Sequence, residues 1–219
     1  MSTSDPISLA IVLALLALLP TIVVVTTSFL KIAVVMALLR NAMGVQQIPP
    51  NIALYGLALI LSAYVMAPIG MQIQKEVEAA PYSGKDAGKD VASLIAAVRR
   101  GAEPLRGFMT RNAAPAQRDF FVQTARKLWG PELAADLKNT DFLVLMPAFM
   151  VSELTRAFQV GFLLYLPFVV IDLIVSNILL AVGMMMVSPV TISLPLKLFL
   201  FVLIDGWTRL IQGLVLSYV

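Results

Sequence analysis

Few polar side chains interrupt the apolar stretches of this chain, and their spacing limits the chemistry open to it. Glu153 and Arg156 stand at i, i+3, and Asp205 and Arg209 at i, i+4. Both spacings place opposite charges on one helix face. Unpaired charge is costly in apolar surroundings, so ion pairs that pack helices or fix subunit register are the expected role. Asp172 and Lys197 have no such neighbour in sequence. Each is expected to pair across helices, to pair between subunits or to face water. A proton-relay role for Asp172 lacks a second acid nearby to continue the relay. Ser193 and Lys197, at i, i+4, are the one arrangement that could form a Ser-Lys nucleophile, and a coincidence of helix face explains them more simply.

The chain contains no cysteine and no histidine. That removes disulfides, thiolate nucleophiles and Cys-ligated metals, together with the commonest general base and transition-metal ligand. Hydrolase, redox and zinc chemistry therefore fit poorly, and neither an enzymatic activity nor a cofactor is expected. Gly84-Lys85-Asp86-Ala87-Gly88 lacks the Gly-Lys-Ser/Thr ending of a phosphate loop. Lys and Arg are spread along the chain, so the net charge of +3 does not point to nucleic acid.

The elements that carry these residues are apolar and interrupted. Hydrophobic residues make up 59% of the chain and charged residues 13%, against soluble averages of about 45–50% and about 25%, so the chain reads as an all-α polytopic membrane protein. The uncharged run Ile7 to Leu30 is long enough for a retained span, and the segment before it lacks the basic start of a cleaved signal. Pro49 and Pro50 end one helix and open another. A second uncharged run covers Asn51 to Gln74, with Pro68 and Gly70 expected to bend it or end it early. Residues 75–141 then hold 20 of the charged side chains, 11 basic and 9 acidic. Three short helices are expected there. The first is marked by Val91, Leu94, Ile95 and Val98, the second by Leu105, Phe108 and Met109. The third carries Phe120, Phe121, Ala125 and Leu128 and ends near Gly130 and Pro131. The chain is apolar again from Phe142. One spanning helix should reach the low 180s, kinked at Pro147 and Pro167, and another should start near Pro195, with Ser188, Pro189 and Ser193 in the turn between them.

The expected organisation is a first helical hairpin over 1–74, a helical extramembrane domain over 75–141 and a second apolar hairpin over 142–219. Lys31 and Arg40, with no acid between them, place the first short loop on the cytoplasmic side. The charged domain and both termini then lie outside, in the periplasm of a two-membrane bacterium. Proline-broken apolar helices persist where they are buried in protein or line a cavity, which points to an assembly around a passage.

Met184, Met185 and Met186 lie between Gly183 and Ser188-Pro189. Met is a common packing residue. It is also unbranched and polarizable, so a ring of several copies could close on itself and mould around varied cargo. A glycine and a proline at either side favour a loop over a buried helix.

Several longer segments resemble the FliP/SctR family of type III secretion. They are Leu38-Leu39-Arg40-Asn41-Ala42-Met43-Gly44 with Gln46-Gln47-Ile48-Pro49-Pro50-Asn51, Ser152-Glu153-Leu154-Thr155-Arg156-Ala157-Phe158, Leu166-Pro167-Phe168-Val169-Val170-Ile171-Asp172-Leu173, Gly183-Met184-Met185-Met186-Val187-Ser188-Pro189 and Leu203-Ile204-Asp205-Gly206-Trp207. The resemblance covers nearly the whole chain and is weakest over residues 75–102. It implies a core export-apparatus protein in the bacterial inner membrane, assembling as a ring or helical oligomer that extends into the periplasm. In the family, five copies associate with four copies of a two-helix SctS/FliQ-like protein and one SctT/FliR-like protein, and secreted substrates pass through the gated entrance they form. The resemblance implies that Met184, Met185 and Met186 are the methionine gasket of that entrance. It carries no separate role for Glu153, Arg156, Asp172, Lys197, Asp205 or Arg209 beyond helix or subunit pairing. The segment from Asn41 to Pro50 and the lack of a cleaved signal favour the injectisome branch over the flagellar one. A small-solute transporter or channel is the competing class, and the internal repeats such folds often show are not found in the sequence.

Overall fold

The computed structural model describes residues 6–45, 48–78, 96 and 98–219. Gln46, Gln47, Gly84 to Gly88 and the expected helix face Val91, Leu94 and Ile95 lie outside them. Eight helices are labelled among the described residues: α1 (Pro6–Thr26), α2 (Phe29–Met43), α3 (Asn51–Glu78), α4 (Glu103–Asn112), α5 (Pro115–Leu133), α6 (Phe142–Ala181), α7 (Pro189–Leu203) and α8 (Gly206–Leu216). No strand occurs among the described residues.

The first apolar run is not one helix. It breaks between α1 and α2, and the cause is local. Thr26 Oγ1 donates to the Ile22 carbonyl at 2.7 Å and Thr27 Oγ1 to the Val23 carbonyl at 2.5 Å, while the Phe29 amide donates to Thr27 Oγ1 at 3.3 Å. Hydroxyls that bond back to the preceding turn and cap the following one offer the backbone an alternative to a continuous ladder. Lys31 then falls inside α2 and is buried.

Helix α3 starts where the two prolines place it, with the Ala53 amide on the Pro50 carbonyl at 2.9 Å. It runs through Pro68 to Glu78 rather than ending early. Helix α6 is a single helix of 40 residues, about 60 Å at 1.5 Å per residue, and it contains both Pro147 and Pro167. The last apolar stretch begins at Pro189, not near Pro195, and divides into α7 and α8 at a bend of 61°. Asp205, at φ 54, lies in the left-handed region at that break.

Helices α3 and α6 are each long and apolar enough to cross a membrane, and the count rises to four if each bent pair, within α1–α2 and α7–α8, is one span. Only 22% of the apolar window of α3 and 11% of that of α6 is buried within the chain, so most of that apolar surface has to meet lipid or other subunits.

The chain divides into two compact units. The first comprises Met1–Leu30 and Met66–Glu153. There α4 and α5 pack on the first three turns of α6. Phe108 meets Phe149 edge to face at 5.7 Å, the Arg106 guanidinium lies 4.7 Å from the Phe142 ring centroid, and the Ala114 amide donates to Ser152 Oγ at 2.9 Å. Met109, Leu145, Ala148 and Phe149 form the dry centre of this unit. Gly130, at φ 85, interrupts α5 where the sequence places the end of the third short helix.

The second unit comprises Lys31–Val65 and Leu154–Val219. Its centre is Ile32, Val35, Met36, Leu39, Ala58 and Ala157, all fully buried. Gly161 lets α2 and α6 approach closely, because a Cβ there would collide with the Leu38 side chain. Phe201 packs against Phe168 and Trp207, and its ring occupies the space that a Cβ on Gly206 would need. The α7–α8 bend is held in this way.

Candidate functional site

The second unit folds α6 and α7 into a hairpin whose tip is the methionine segment. Helix α6 ends in a Schellman-type cap. The Met184 amide donates to the Leu179 carbonyl at 2.9 Å and the Gly183 amide to the Leu180 carbonyl at 3.1 Å. Gly183, at φ 78, takes the left-handed position that this cap requires. Ser188 and Pro189 then restart the chain as α7, with proline in the first turn, where its missing N–H does no harm. Between these two stops no side chain of the triplet enters a core. Met184 is 45% exposed, Met185 81% and Met186 fully exposed. Three adjacent thioethers thus project from a short loop fixed at both ends.

A polar cluster holds the two arms of the hairpin together. Lys197 Nζ on α7 donates to Asp172 Oδ2 on α6 at 2.6 Å. Ser193 Oγ donates to Asp172 Oδ1 at 2.5 Å and lies 3.2 Å from the Val190 carbonyl. A longer contact of 3.5 Å joins Lys197 Nζ to the Ala42 carbonyl at the end of α2. Lys197 and Ser193 are buried, whereas the Asp172 side chain is 33% exposed. Gly44, at φ 74, turns the chain beside this cluster, and a Cβ there would stand 3.7 Å from Lys197 Nζ. The i, i+4 spacing of Ser193 and Lys197 therefore brings two donors to one carboxylate. With Asp172 taking both, the arrangement is a clamp and not a nucleophile with its base. At 1.5 Å per residue Asp172 and Lys197 lie roughly 12–14 Å back from the loop along their arms, and Ser193 about 6 Å.

The other charged residues are placed differently. Glu153 is fully buried and Arg156 half-buried, and each has a bonding partner. Asp205 and Arg209 are both exposed, and no ion pair joins them among the described residues. Asp205 instead accepts from Thr208 Oγ1 at 3.1 Å, and its carbonyl accepts from the Arg209 amide at 3.2 Å. The left-handed backbone at Asp205 is what redirects that pair. Lys31, which the sequence reading used only for orientation, is 2% exposed, with its Nζ 3.5 Å from the Tyr218 ring centroid. Nothing in the spacing of residues 31 and 218 signals that contact.

An all-helical protein with spanning-length apolar helices, mostly uncovered, and a fixed thioether loop at the tip of a charge-clamped hairpin belongs to the class of membrane proteins that complete their packing with other subunits. Comparison with known proteins gives the family. The profile of the FliP family matches residues 12–214, and the chain belongs to that family. It is 56% identical over 214 residues to the Yop proteins translocation protein R of Yersinia pestis, covering 98% of this chain and 97% of that protein. It is 46% identical over 217 residues to the harpin secretion protein HrcR of Erwinia amylovora, covering 98% and 97%. It is 45% identical over 224 residues to the virulence protein YscR of Salmonella typhimurium, along the full length of both.

Proposed function

We propose that this chain is a core export-apparatus subunit of a type III protein secretion system of the injectisome kind. Several copies, five by family resemblance, associate with SctS/FliQ-like and SctT/FliR-like proteins in the bacterial inner membrane, and the assembly extends into the periplasm. Together they form the gated entrance through which unfolded substrates pass. The role is structural, and no catalytic group is assigned. The relatives named for translocation, harpin secretion and virulence support the injectisome branch over the flagellar one.

The observation that carries this reading is the exposed triplet Met184 to Met186 on a loop fixed by Gly183 and Pro189. In a monomer three consecutive uncovered methionines would be an apolar liability. Brought together from several copies they make a compliant seal, since unbranched thioethers repack without strain. In this reading Asp172, Ser193 and Lys197 set the height and angle of the loop. Glu153, Arg156 and Arg209 serve packing and subunit contact, and Asp205 sets the α7–α8 bend.

The test replaces Met184, Met185 and Met186 with alanine in secreting cells. Leak of small molecules through the closed apparatus is expected to rise while the complex still assembles. Unchanged leak with normal assembly would remove the seal, and normal secretion from cells lacking the chain altogether would remove the export role.

A further inference from the structure

The sequence of the second unit contains two acids, Asp172 and Asp205. Asp172 is taken up by Ser193 and Lys197. Asp205 is exposed, and among the described residues its carboxylate accepts only from Thr208, on Oδ1 at 3.1 Å. An ionised carboxylate offers about four lone-pair sites, so Oδ2 and most of that capacity stay open. Arg209 is exposed as well, and among the described residues its guanidinium has no partner. The apolar cavity of about 510 Å³ that Arg209 borders has no carboxylate in its wall among the described residues. Two opposite charges thus stand open next to each other at the α7–α8 bend, with exposed apolar side chains, Val202, Leu203 and Trp207, beside them.

The setting makes open charge costly. Helices α7 and α8 pass together as one broken span, and Asp205 falls near its middle. A carboxylate on a single methylene is too short to reach water at either end, so it has to find a partner at its own depth. The bend is also fixed in place. Phe201 fills the space over Gly206, and the left-handed backbone at Asp205 keeps its side chain out of register with Arg209 on α8. An anionic lipid headgroup on Arg209 would meet the Asp205 carboxylate beside it, and a cationic one on Asp205 would meet the guanidinium. A second copy of the same chain carries both charges, and Asp205 is the one acid of its second unit not already clamped.

We infer that the α7–α8 bend is a contact between copies of this chain, in which Arg209 of one copy pairs with Asp205 of the next and Val202, Leu203 and Trp207 cover the pair. Such a contact is head to tail, so an array of any length satisfies every charge except those at its ends. A carboxylate and a guanidinium make a charge-assisted, geometrically specific pair, and it fixes the register of neighbouring copies. The inference rests on the assembly of several copies proposed above and names one contact within it.

The chain has no cysteine of its own. Two differently tagged forms of the full-length chain, one with Asp205→Cys and one with Arg209→Cys, are produced together with the accompanying subunits and oxidised mildly in membranes. Disulfides joining the two tags are expected to exceed those joining like tags. Cysteine at φ 54 carries strain, so a second measurement uses Asp205→Asn, because asparagine tolerates the left-handed region and keeps an acceptor for Thr208. Asp205→Asn and Arg209→Gln should each lower the yield of assembled complex by about tenfold or more, and the two together should cost no more than either alone. Dimers from Met185→Cys without any disulfide joining the two tags would overturn the contact and leave the assembly standing. Absence of both kinds of dimer would overturn the assembly reading and the contact with it. Disulfides between like tags only, linkage of Arg209→Cys to a different subunit, or wild-type yield from Arg209→Gln would each overturn the contact.

Discussion

The clamp between Asp172 and Lys197 makes an asymmetric prediction. Lys197 is 3% exposed and Asp172 33%, so losing either partner should not cost the same. Asp172→Leu would leave a buried ammonium with only the Ala42 carbonyl at 3.5 Å. Breaking a buried pair in this way costs about 3–5 kcal/mol. Lys197→Met would leave a carboxylate that still accepts from Ser193 and reaches solvent, and this should cost about 1–2 kcal/mol. For a chain of this size each kcal/mol lowers the melting midpoint by about 2–4 °C, giving roughly 6–20 °C for Asp172→Leu against roughly 2–8 °C for Lys197→Met. The double substitution replaces an ion pair with two apolar side chains and should recover most of the loss. The assay is thermal unfolding of the detergent-extracted chain, followed by fluorescence of Trp207 in a Trp129→Phe background. Trp207 packs 5.4 Å from Phe201 in the same unit as the clamp, so its emission reports on that unit. Equal losses from the two single substitutions, or a double substitution as costly as the two singles added, would refute the reasoning.

Gly183→Val forces a β-branched residue to φ 78 and disrupts the cap before the methionine loop, at about 1–2 kcal/mol. It is expected to raise leak through the closed apparatus while leaving complex yield near normal, as measured by paired leak and pull-down assays. Gly161→Ala places a Cβ against Leu38 and should lower the melting midpoint through overpacking of about 1–3 kcal/mol. Leu38→Ala in the same chain should relieve part of that loss, which a double-mutant cycle on thermal midpoints would detect.

Much of the fold could be read in the sequence because backbone-restricting residues mark it. Pro49-Pro50 places the start of α3, Gly130 the interruption of α5, and Gly183 with Pro189 the methionine loop. What the sequence leaves open is decided by side chains or tertiary packing. The break at Thr27 and Ser28 falls inside an uncharged run, and hydroxyl bonds to the preceding turn cause it. Pro68, expected to bend α3 or end it early, does not end it, since an apolar helix of this length tolerates an internal proline when neighbouring groups satisfy the freed carbonyls. Asp205 and Arg209 have ideal spacing for a pair, but the left-handed backbone at Asp205 places the two outside one regular helix. Asp172 and Lys197 are 25 residues apart, so only the hairpin brings them together. Ser193, read as a turn residue, is a member of the clamp on α7. The Tyr218 ring against Lys31 lies at the far end of the chain, and no periodicity signals it.

The central claim is that Met184 to Met186 from several copies meet around one passage. The chain has no cysteine, so Met185→Cys introduces a single thiol that can report on that meeting. In membranes of secreting cells, with all sister subunits present, mild oxidation is expected to yield disulfide-linked dimers of the chain while secretion is blocked. A chain that stays monomeric under oxidation, with the introduced thiol labelled freely by a lipid-soluble maleimide, would contradict the claim.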